Sequence, residues 1–295
     1  MAGPILITGP QGFVGRHLQA QLGGRGLPVD VDVTDAKAVA RAVAASAPEA
    51  VVHLAARSSV ADSWGETSEV WRVNVLGTVN VLEAVRAEAP QARVLMVSTG
   101  EVYGRAEELP TPEESPIAPL SPYAASKAAA ELACGTSNVD VVVTRAFQHE
   151  GPGRDERFAI GSWTRQIARL EEAGGGTLQV GDLSSRRDIT DVRDVCRAYE
   201  LLLDRAVSAG IYNVASGRMV SMREVLDLLV AGARCSIEIE VDPARSRPTD
   251  LPAICGDASK LRAATGWTPT IPLEQTLADA LEAAREAVSE TMTSV

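Results

Sequence analysis

Aromatic side chains are scarce in this chain, with three Phe, four Tyr and four Trp making up 4% of 295 residues. A core must then be filled by Ala, Val and Leu, which suits helices laid over a parallel sheet. Cysteine is sparse too. Cys134, Cys196, Cys235 and Cys255 are far apart, with no CxxC pair and no His close by in sequence, so neither a zinc site nor a disulfide framework is indicated. Four reduced thiols are expected. Positive charge is in deficit: the formal net charge is −11 and the isoelectric point about 4.9, which excludes the basic face of a nucleic-acid binder. A polyanionic ligand could still be held by a few local Arg residues and helix ends. No apolar run approaches the ~18 residues of a membrane span, and the N-terminus shows no basic region or cleavage site, so a cytoplasmic protein without a membrane partner is expected. There is no Ser/Gly-rich linker and no fixed repeat. One large lobe with a smaller one grown onto it is the natural organisation.

What the chain does contain is 45% apolar residues, at a mean hydropathy of +0.02, arranged in a regular rhythm. Short apolar runs alternate with helical periodicity: Ile5-Leu6-Ile7 then Phe13 to Leu22, Val51 to Leu54 then Val70 to Val85, Val94 to Val97, and Val139 to Val143. Continuous Val/Ile/Leu strands are buried on both faces, as parallel strands are under crossover helices. The fold class expected is α/β, a Rossmann-like doubly wound parallel sheet with a smaller C-terminal lobe. Residues 1–150 form the sheet domain, with part of 190–215 returning to it, and 151–295 form mainly the second lobe. In that second half helices are expected around Ser162 to Glu172, Val192 to Asp204 and Met222 to Val230, and after Pro272, with a strand at Ile211 to Asn213. Between the first helix and a strand expected at about Val29 to Val33 only six residues remain, too few for another strand with its turn. The strand end that tells NAD from NADP is therefore missing from this reading.

Two constellations carry chemistry. Thr8-Gly9-Pro10-Gln11-Gly12-Phe13-Val14-Gly15 follows a strand and opens a helix. Glycines there allow a tight turn and close approach of backbone to a pyrophosphate, and the helix N-terminus offers free N–H groups to the anion. Asp32 suits a hydrogen bond to adenine, with helix capping by Asp32 or Asp35 as the alternative. The second is Tyr123-Ala-Ala-Ser-Lys127, where a spacing of four puts phenol and ammonium on one helical face. A Lys charge beside the phenol favours phenolate and makes Tyr123 a proton donor or acceptor near neutrality. Thr99, at the end of a predicted strand in Val97-Ser-Thr-Gly-Glu-Val-Tyr-Gly104, can orient a carbonyl toward it; the alternative is a strand-end Thr bonding its own backbone.

In this order and at these intervals the residues resemble the extended short-chain dehydrogenase/reductase family, over nearly the whole chain. The resemblance implies an NAD(P)(H) cofactor held by Gly9, Gln11, Gly12, Phe13, Val14, Gly15, Asp32, Val33, Leu54, Ala55, Ala56, Asn74, Val97, Tyr123, Lys127 and Phe147. Thr99, Tyr123 and Lys127 would be catalytic. Within the family, His53 to Trp64, Arg145 to Gly153, Arg187 to Asp194, Arg247 to Asp250 and Gly266 to Pro269 resemble the enzymes of GDP-6-deoxyhexose synthesis, above all those that reduce GDP-4-keto-6-deoxy-D-mannose. By that resemblance Arg187 and Arg247 clamp a diphosphate, although each alone could be a surface ion pair. Ser58, Ser59, Gln148, His149 and Asp250 then line the sugar site, His149 either as an active group or as a hydrogen-bonded wall. The chain departs from the pattern in having Gln148 for Asn and Ile189 for an aromatic. Its segment from Glu131 to Asn138 is also shortened, in a helix that in the family contributes to the dimer interface; a homodimer is expected.

The expected activity is reduction of the 4-keto group of a nucleotide-linked 6-deoxyhexulose, GDP-linked by the resemblance, to give GDP-D-rhamnose. A GDP-mannose 4,6-dehydratase is the second reading, with Glu101 as the additional base for C5. A dinucleotide-binding protein without turnover is the third.

Overall fold

The computed structural model describes residues 3–245 and 251–293. The first half runs β1 (Ile5–Thr8), α1 (Phe13–Leu22), β2 (Gly26–Val29), α2 (Ala36–Ser46) and β3 (Ala50–His53). Two short helices, α3 (Val60–Ser63) and α4 (Thr67–Trp71), lead through a π-helical segment at Arg72–Leu76 into α5 (Gly77–Glu88). Then come β4 (Arg93–Thr99), α6 (Pro122–Gly135) and β5 (Val141–Ala146). The second half begins with β6 (Gln148–Glu150), α7 (Ala159–Ala173), β7 (Gly176–Val180), β8 (Arg186–Asp191), α8 (Val192–Leu202) and β9 (Gly210–Val214). It ends with β10 (Met219–Ser221), α9 (Met222–Ala231), β11 (Ile237–Val241), β12 (Ala253–Ile254), α10 (Ser259–Thr265) and α11 (Leu273–Thr293).

The main sheet has the order β2-β1-β3-β4-β5-β9, every neighbouring pair parallel. Its strands read as unbroken apolar runs because both faces are covered. Alternate residues point to opposite sides. Ile5, Ile7, Val52 and Leu95 pack with Leu18 of α1 and Tyr199 of α8 on one face. Leu6, Val51, Val94 and Met96 pack with Val39 and Val43 of α2 and Val85 of α5 on the other. The chain passes from β1 to β2 on one side and returns to β3 on the other. This reversal opens a crevice beyond the carboxyl ends of the strands.

One strand differs from the sequence expectation. The strand placed at about 29–33 runs instead over Gly26–Val29, directly after α1, and pairs with β1 from Ile5↔Gly26 to Thr8↔Val29. The alternating Val and Asp of 29–33 imitate strand periodicity. What decides is the open edge of β1, which the chain reaches as soon as α1 ends. It leaves the sheet at Asp30, and Asp35 caps α2 by accepting from the N–H groups of Lys37 and Ala38, both at 3.0 Å.

The second lobe carries a smaller sheet in which β8 is flanked by β10 and β12 and also pairs with β6, beside a separate β11-β7 pair. Ile160, Trp163 and Ile167 of α7 meet Val225 and Leu229 of α9 and Leu277 and Leu281 of α11 in a third core. Among the described residues no helix is long and apolar enough to cross a membrane, and all four cysteines are free thiols. Asp188 on β8 fastens this sheet to the main one. Its buried carboxylate accepts from the N–H groups of Ser216 (2.8 Å) and Gly217 (2.9 Å), just beyond β9, and of Gly256 (3.2 Å), beyond β12. Asp188→Ala strands these donors and is expected to lower unfolding stability by at least about 3 kcal/mol. A shift of the urea midpoint worth less than about 1 kcal/mol would show that the sheets hold together without it.

Candidate active site

The loop from Gly9 to Gly15 lies where β1 hands over to α1. Gly9 has φ +67°, and a Cβ there would stand 2.8 Å from the Ala55 nitrogen. A Cβ on Gly15 would meet the Gly9 carbonyl oxygen at 2.4 Å, so the helix can start this close to the turn only with glycine. No side chain caps α1 at Gly12, and its first turn carries no acidic residue. Its free N–H groups and Gly12, where a Cβ would stand 3.3 Å from the Gly9 carbonyl oxygen, form a cradle that fits a dinucleotide's pyrophosphate.

A cleft of about 670 Å³ runs from this loop across the strand ends to the second lobe. Gly9, Gly12, Phe13, Val14, Gly15, Leu54, Ala56, Val97 and Phe147 line it, as do Thr99, Glu101, Tyr123 and Lys127. Ser58, Ser59, Gln148, His149 and Arg187 line it too. Other expected contacts stand elsewhere. Gln11 is exposed. Asp32 is exposed and accepts from the Thr34 N–H and hydroxyl at 2.9 and 2.7 Å, closing a turn, so the capping role falls to Asp35. The Val33 side chain belongs to the core, and the Ala55 N–H donates to Thr8 Oγ1 at 3.3 Å. Asn74 is buried in the π-helical segment and acts as a brace. It accepts from the Arg57 N–H at 2.8 Å and donates to the Arg57 carbonyl (3.1 Å) and Ser126 Oγ (2.9 Å). Arg247 and Asp250 lie outside the described residues.

Tyr123, Lys127 and Thr99 converge because α6 lies against the end of β4. Ser121 caps α6 through the Ala124 N–H, with Pro122 in its first turn. Lys127 Nζ donates to the Val97 carbonyl at 2.7 Å. Burial pulls Lys127 down to about 8, against the opposing influence of Cys134 and Glu131 on the same helix. Tyr123 departs from expectation. Burial, and then the Glu101 charge, push its phenol above the ordinary range, while the Thr99 hydroxyl and the Arg154 charge draw it down without prevailing. Lys127 spends its ammonium on Val97 instead of on the phenol. Tyr123 is thus a neutral O–H donor at pH 7. Thr99 Oγ1 accepts from the Glu101 N–H at 3.2 Å, capping the short turn that presents Glu101 to the cleft.

Two buried networks hold these groups. Glu131, one turn beyond Lys127, accepts from Ser98 Oγ on β4, and from Arg145 Nε (3.1 Å) and Nη2 (2.7 Å) on β5. His53, at the end of β3, contacts Thr8 Oγ1 (2.8 Å) and Thr78 Oγ1 (3.1 Å). The Thr78 hydroxyl donates to the Asn74 carbonyl, so it receives Nε2–H and leaves His53 Nδ1 as acceptor. Burial, seconded by Lys127, takes His53 to about 3, and the ring is neutral. His149 is likewise a neutral wall. Its Nδ1 donates to the Phe147 carbonyl at 2.9 Å, its ring stacks on Phe13 at 6.2 Å, and burial, then Arg154, take it to about 4.

Sequence reasoning missed Glu150, Arg154 and Phe158, which line the cleft, and the buried pair of Glu131 and Arg145. Glu150 ends the three-residue strand β6, and residues 151–158 form an irregular connection without periodicity. Glu131 shows itself only as the next residue of the Tyr123–Lys127 helical stripe.

A family model described as GDP-mannose 4,6 dehydratase matches residues 28–280. The chain is 37% identical to GDP-6-deoxy-D-mannose reductase of Pseudomonas aeruginosa over 287 residues, covering 92% of this chain and 94% of that protein. The structure of RMD from Pseudomonas aeruginosa complexed with NADPH superposes with a TM-score of 0.88 at 35% identity, over 97% of this chain and 100% of that one. The Thermus thermophilus UDP-glucose 4-epimerase in complex with NAD follows with a TM-score of 0.85 at 30% identity, over 96% and 99%. With a glycine cradle, a Tyr–Lys pair on one helix and matches over nearly its full length, the chain belongs to the GDP-mannose 4,6-dehydratase family of extended short-chain dehydrogenases, which are NAD(P)-dependent enzymes.

Proposed function

We propose that this protein reduces the 4-keto group of GDP-4-keto-6-deoxy-D-mannose to give GDP-D-rhamnose, using NADPH or NADH. The observation that carries the reading is Tyr123, buried at the strand ends, kept protonated and flanked by Thr99. Gly9, Gly12, Gly15 and the first turn of α1 would hold the dinucleotide's pyrophosphate, with Leu54, Ala56, Val97 and Phe147 along its length. When bound, the reduced nicotinamide supplies a hydride to the carbonyl carbon. Thr99 orients the carbonyl oxygen, and Tyr123 gives its proton to the alkoxide as charge develops there. Lys127 fixes α6 to β4 and keeps positive charge in the cleft. Residues 1–150, with part of 190–215, would serve the dinucleotide, and 151–295 the nucleotide sugar, with Arg187 on its diphosphate. A cytoplasmic homodimer completes the reading, supported by four free thiols and by Leu132 of α6, 70% exposed, with Trp71 and Leu76 also exposed on neighbouring segments.

A second reading is favoured by Glu101, which lines the same cleft and whose charge Tyr123 feels. A 4,6-dehydratase needs such a carboxylate to take the C5 proton. Incubation with GDP-mannose and no added reductant separates the two, because only a dehydratase that recycles its cofactor yields 4-keto product.

Tyr123→Phe removes the proton donor and is expected to lower kcat for keto-sugar reduction at least ~10²-fold, followed as NADPH oxidation. Near-normal turnover would overturn the assignment. Lys127 is charged below its pKa of about 8, so dinucleotide affinity should fall as the pH rises through that value. Titrations of Lys127→Met should start weaker and lack this alkaline limb; an identical limb in the variant would place the titrating group elsewhere.

A further inference from the structure

Arg154 occupies an unusual place. The loop that carries it is tied to α1, because Arg16 Nη2 donates to the Gly153 carbonyl at 3.1 Å and His17 Nε2 lies 2.9 Å from the Pro152 carbonyl oxygen. Its guanidinium is stacked between two rings, 4.8 Å from the centroid of Phe13 at the start of α1 and 3.7 Å from that of Phe158 at the start of α7. Beneath it, Glu150 Oε2 stands 3.6 Å from Arg154 Nε, too far for a hydrogen bond, with the two side chains 1% and 14% exposed. Both atoms are buried without a hydrogen-bond partner, while Glu150 Oε1 accepts from Gln148 Nε2 at 3.1 Å.

A guanidinium has five N–H donors, and leaving the buried Nε–H of Arg154 unmade is costly. Arg154 makes no hydrogen bond within the described residues, yet two rings and a carboxyl hold it in one place on the cleft wall. Such an arrangement is preorganised for an acceptor that is not part of the protein. The neighbouring uncapped first turn of α1 adds the positive end of its dipole beside the guanidinium, and the acceptor that suits both is an anion. A planar fork suits paired phosphate oxygens.

We propose that Arg154 is a diphosphate-binding residue of this cleft, stacked by Phe13 and Phe158 and positioned by Glu150. The inference rests on the functional reading above, in that the anion is the diphosphate of a bound nucleotide, either the dinucleotide or the nucleotide sugar. The charge of Arg154 reaches both Tyr123 and His149. Binding an anion there would neutralise part of that charge and leave the phenol more firmly protonated for its role as donor.

The test is calorimetric titration of the intact protein, Arg154→Gln and Arg154→Lys with GDP alone and with NADPH alone at two salt concentrations. Arg154→Gln is expected to weaken one of the two ligands about tenfold or more, with a shallower salt dependence, and Arg154→Lys to recover part of the loss. A loss confined to GDP identifies the nucleotide sugar's diphosphate, and one confined to NADPH the dinucleotide's. Affinities within about twofold of wild type for both ligands overturn the proposal. Should Arg154→Gln fail to fold, Phe158→Leu decides, since it keeps the charge and removes the closer ring; it must weaken the same ligand that Arg154→Lys weakens, and unchanged affinities overturn the inference. Wild-type protein that binds neither ligand defeats the functional reading together with this one, whereas absent keto-sugar reduction with the Arg154 effect intact defeats only the former.

Discussion

The buried pair of Glu131 and Arg145 is the interaction on which the cleft depends. Their side chains are 4% and 2% exposed, and Glu131 also receives the hydroxyl of Ser98. One carboxylate thereby joins α6, β4 and β5. Tyr123 and Lys127 sit on the first of these, Thr99 ends the second, and Phe147 follows the third. Removing either member would strand a charge in the interior, a loss on the order of 3–5 kcal/mol, so the pair acts as a constraint on geometry more than as a source of stability. Arg145 is further held over the Tyr103 ring at 4.7 Å and by the Glu113 carbonyl, and Tyr103 in turn donates to Asn213 on β9. The lattice thus continues to the edge of the sheet, and the relative placement of phenol, hydroxyl and ammonium does not rely on loops.

Electrostatics in the cleft follow from that burial. Desolvation dominates at five groups of the site: it raises Tyr123 and Glu150 and lowers Lys127, His53 and His149. Each shift favours the neutral form. Arg187 and Arg154 place two guanidinium groups on the cleft wall. In this acidic protein the carboxylates of the cleft lining are thus matched by Lys127, Arg154, Arg157, Arg187 and Arg245. Asp188 supplies the other mechanical link, fastening the second lobe's sheet to the turns beyond β9 and β12.

Much of this was legible in the amino acids. Continuous apolar runs told of strands covered on both faces, and α1 and the strand–loop–helix glycine turn stood where periodicity put them. The one misplaced strand shows the limit: Val29 to Val33 alternate like a strand, but Gly26–Val29 alone lies within reach of the β1 edge. Asn74 shows another. Its residue type and position matched a cofactor contact by resemblance, whereas the packing of α4, α5 and α6 turns its amide onto Arg57 and Ser126.

Periodicity and glycine placement act over a few residues, so the sequence by itself determined the fold class, the phosphate turn and the spacing of Tyr123 and Lys127 on one helical face. What only the tertiary structure decided are the quantities set by neighbours distant along the chain. Tyr123 carries its proton because burial and Glu101 outweigh Thr99 and Arg154, and the phenol receives no help from Lys127. Arg154 faces the cleft because Phe13 and Phe158, from opposite lobes, close on it. Desolvation and stacking depend on what surrounds a group in space, and no local pattern records that.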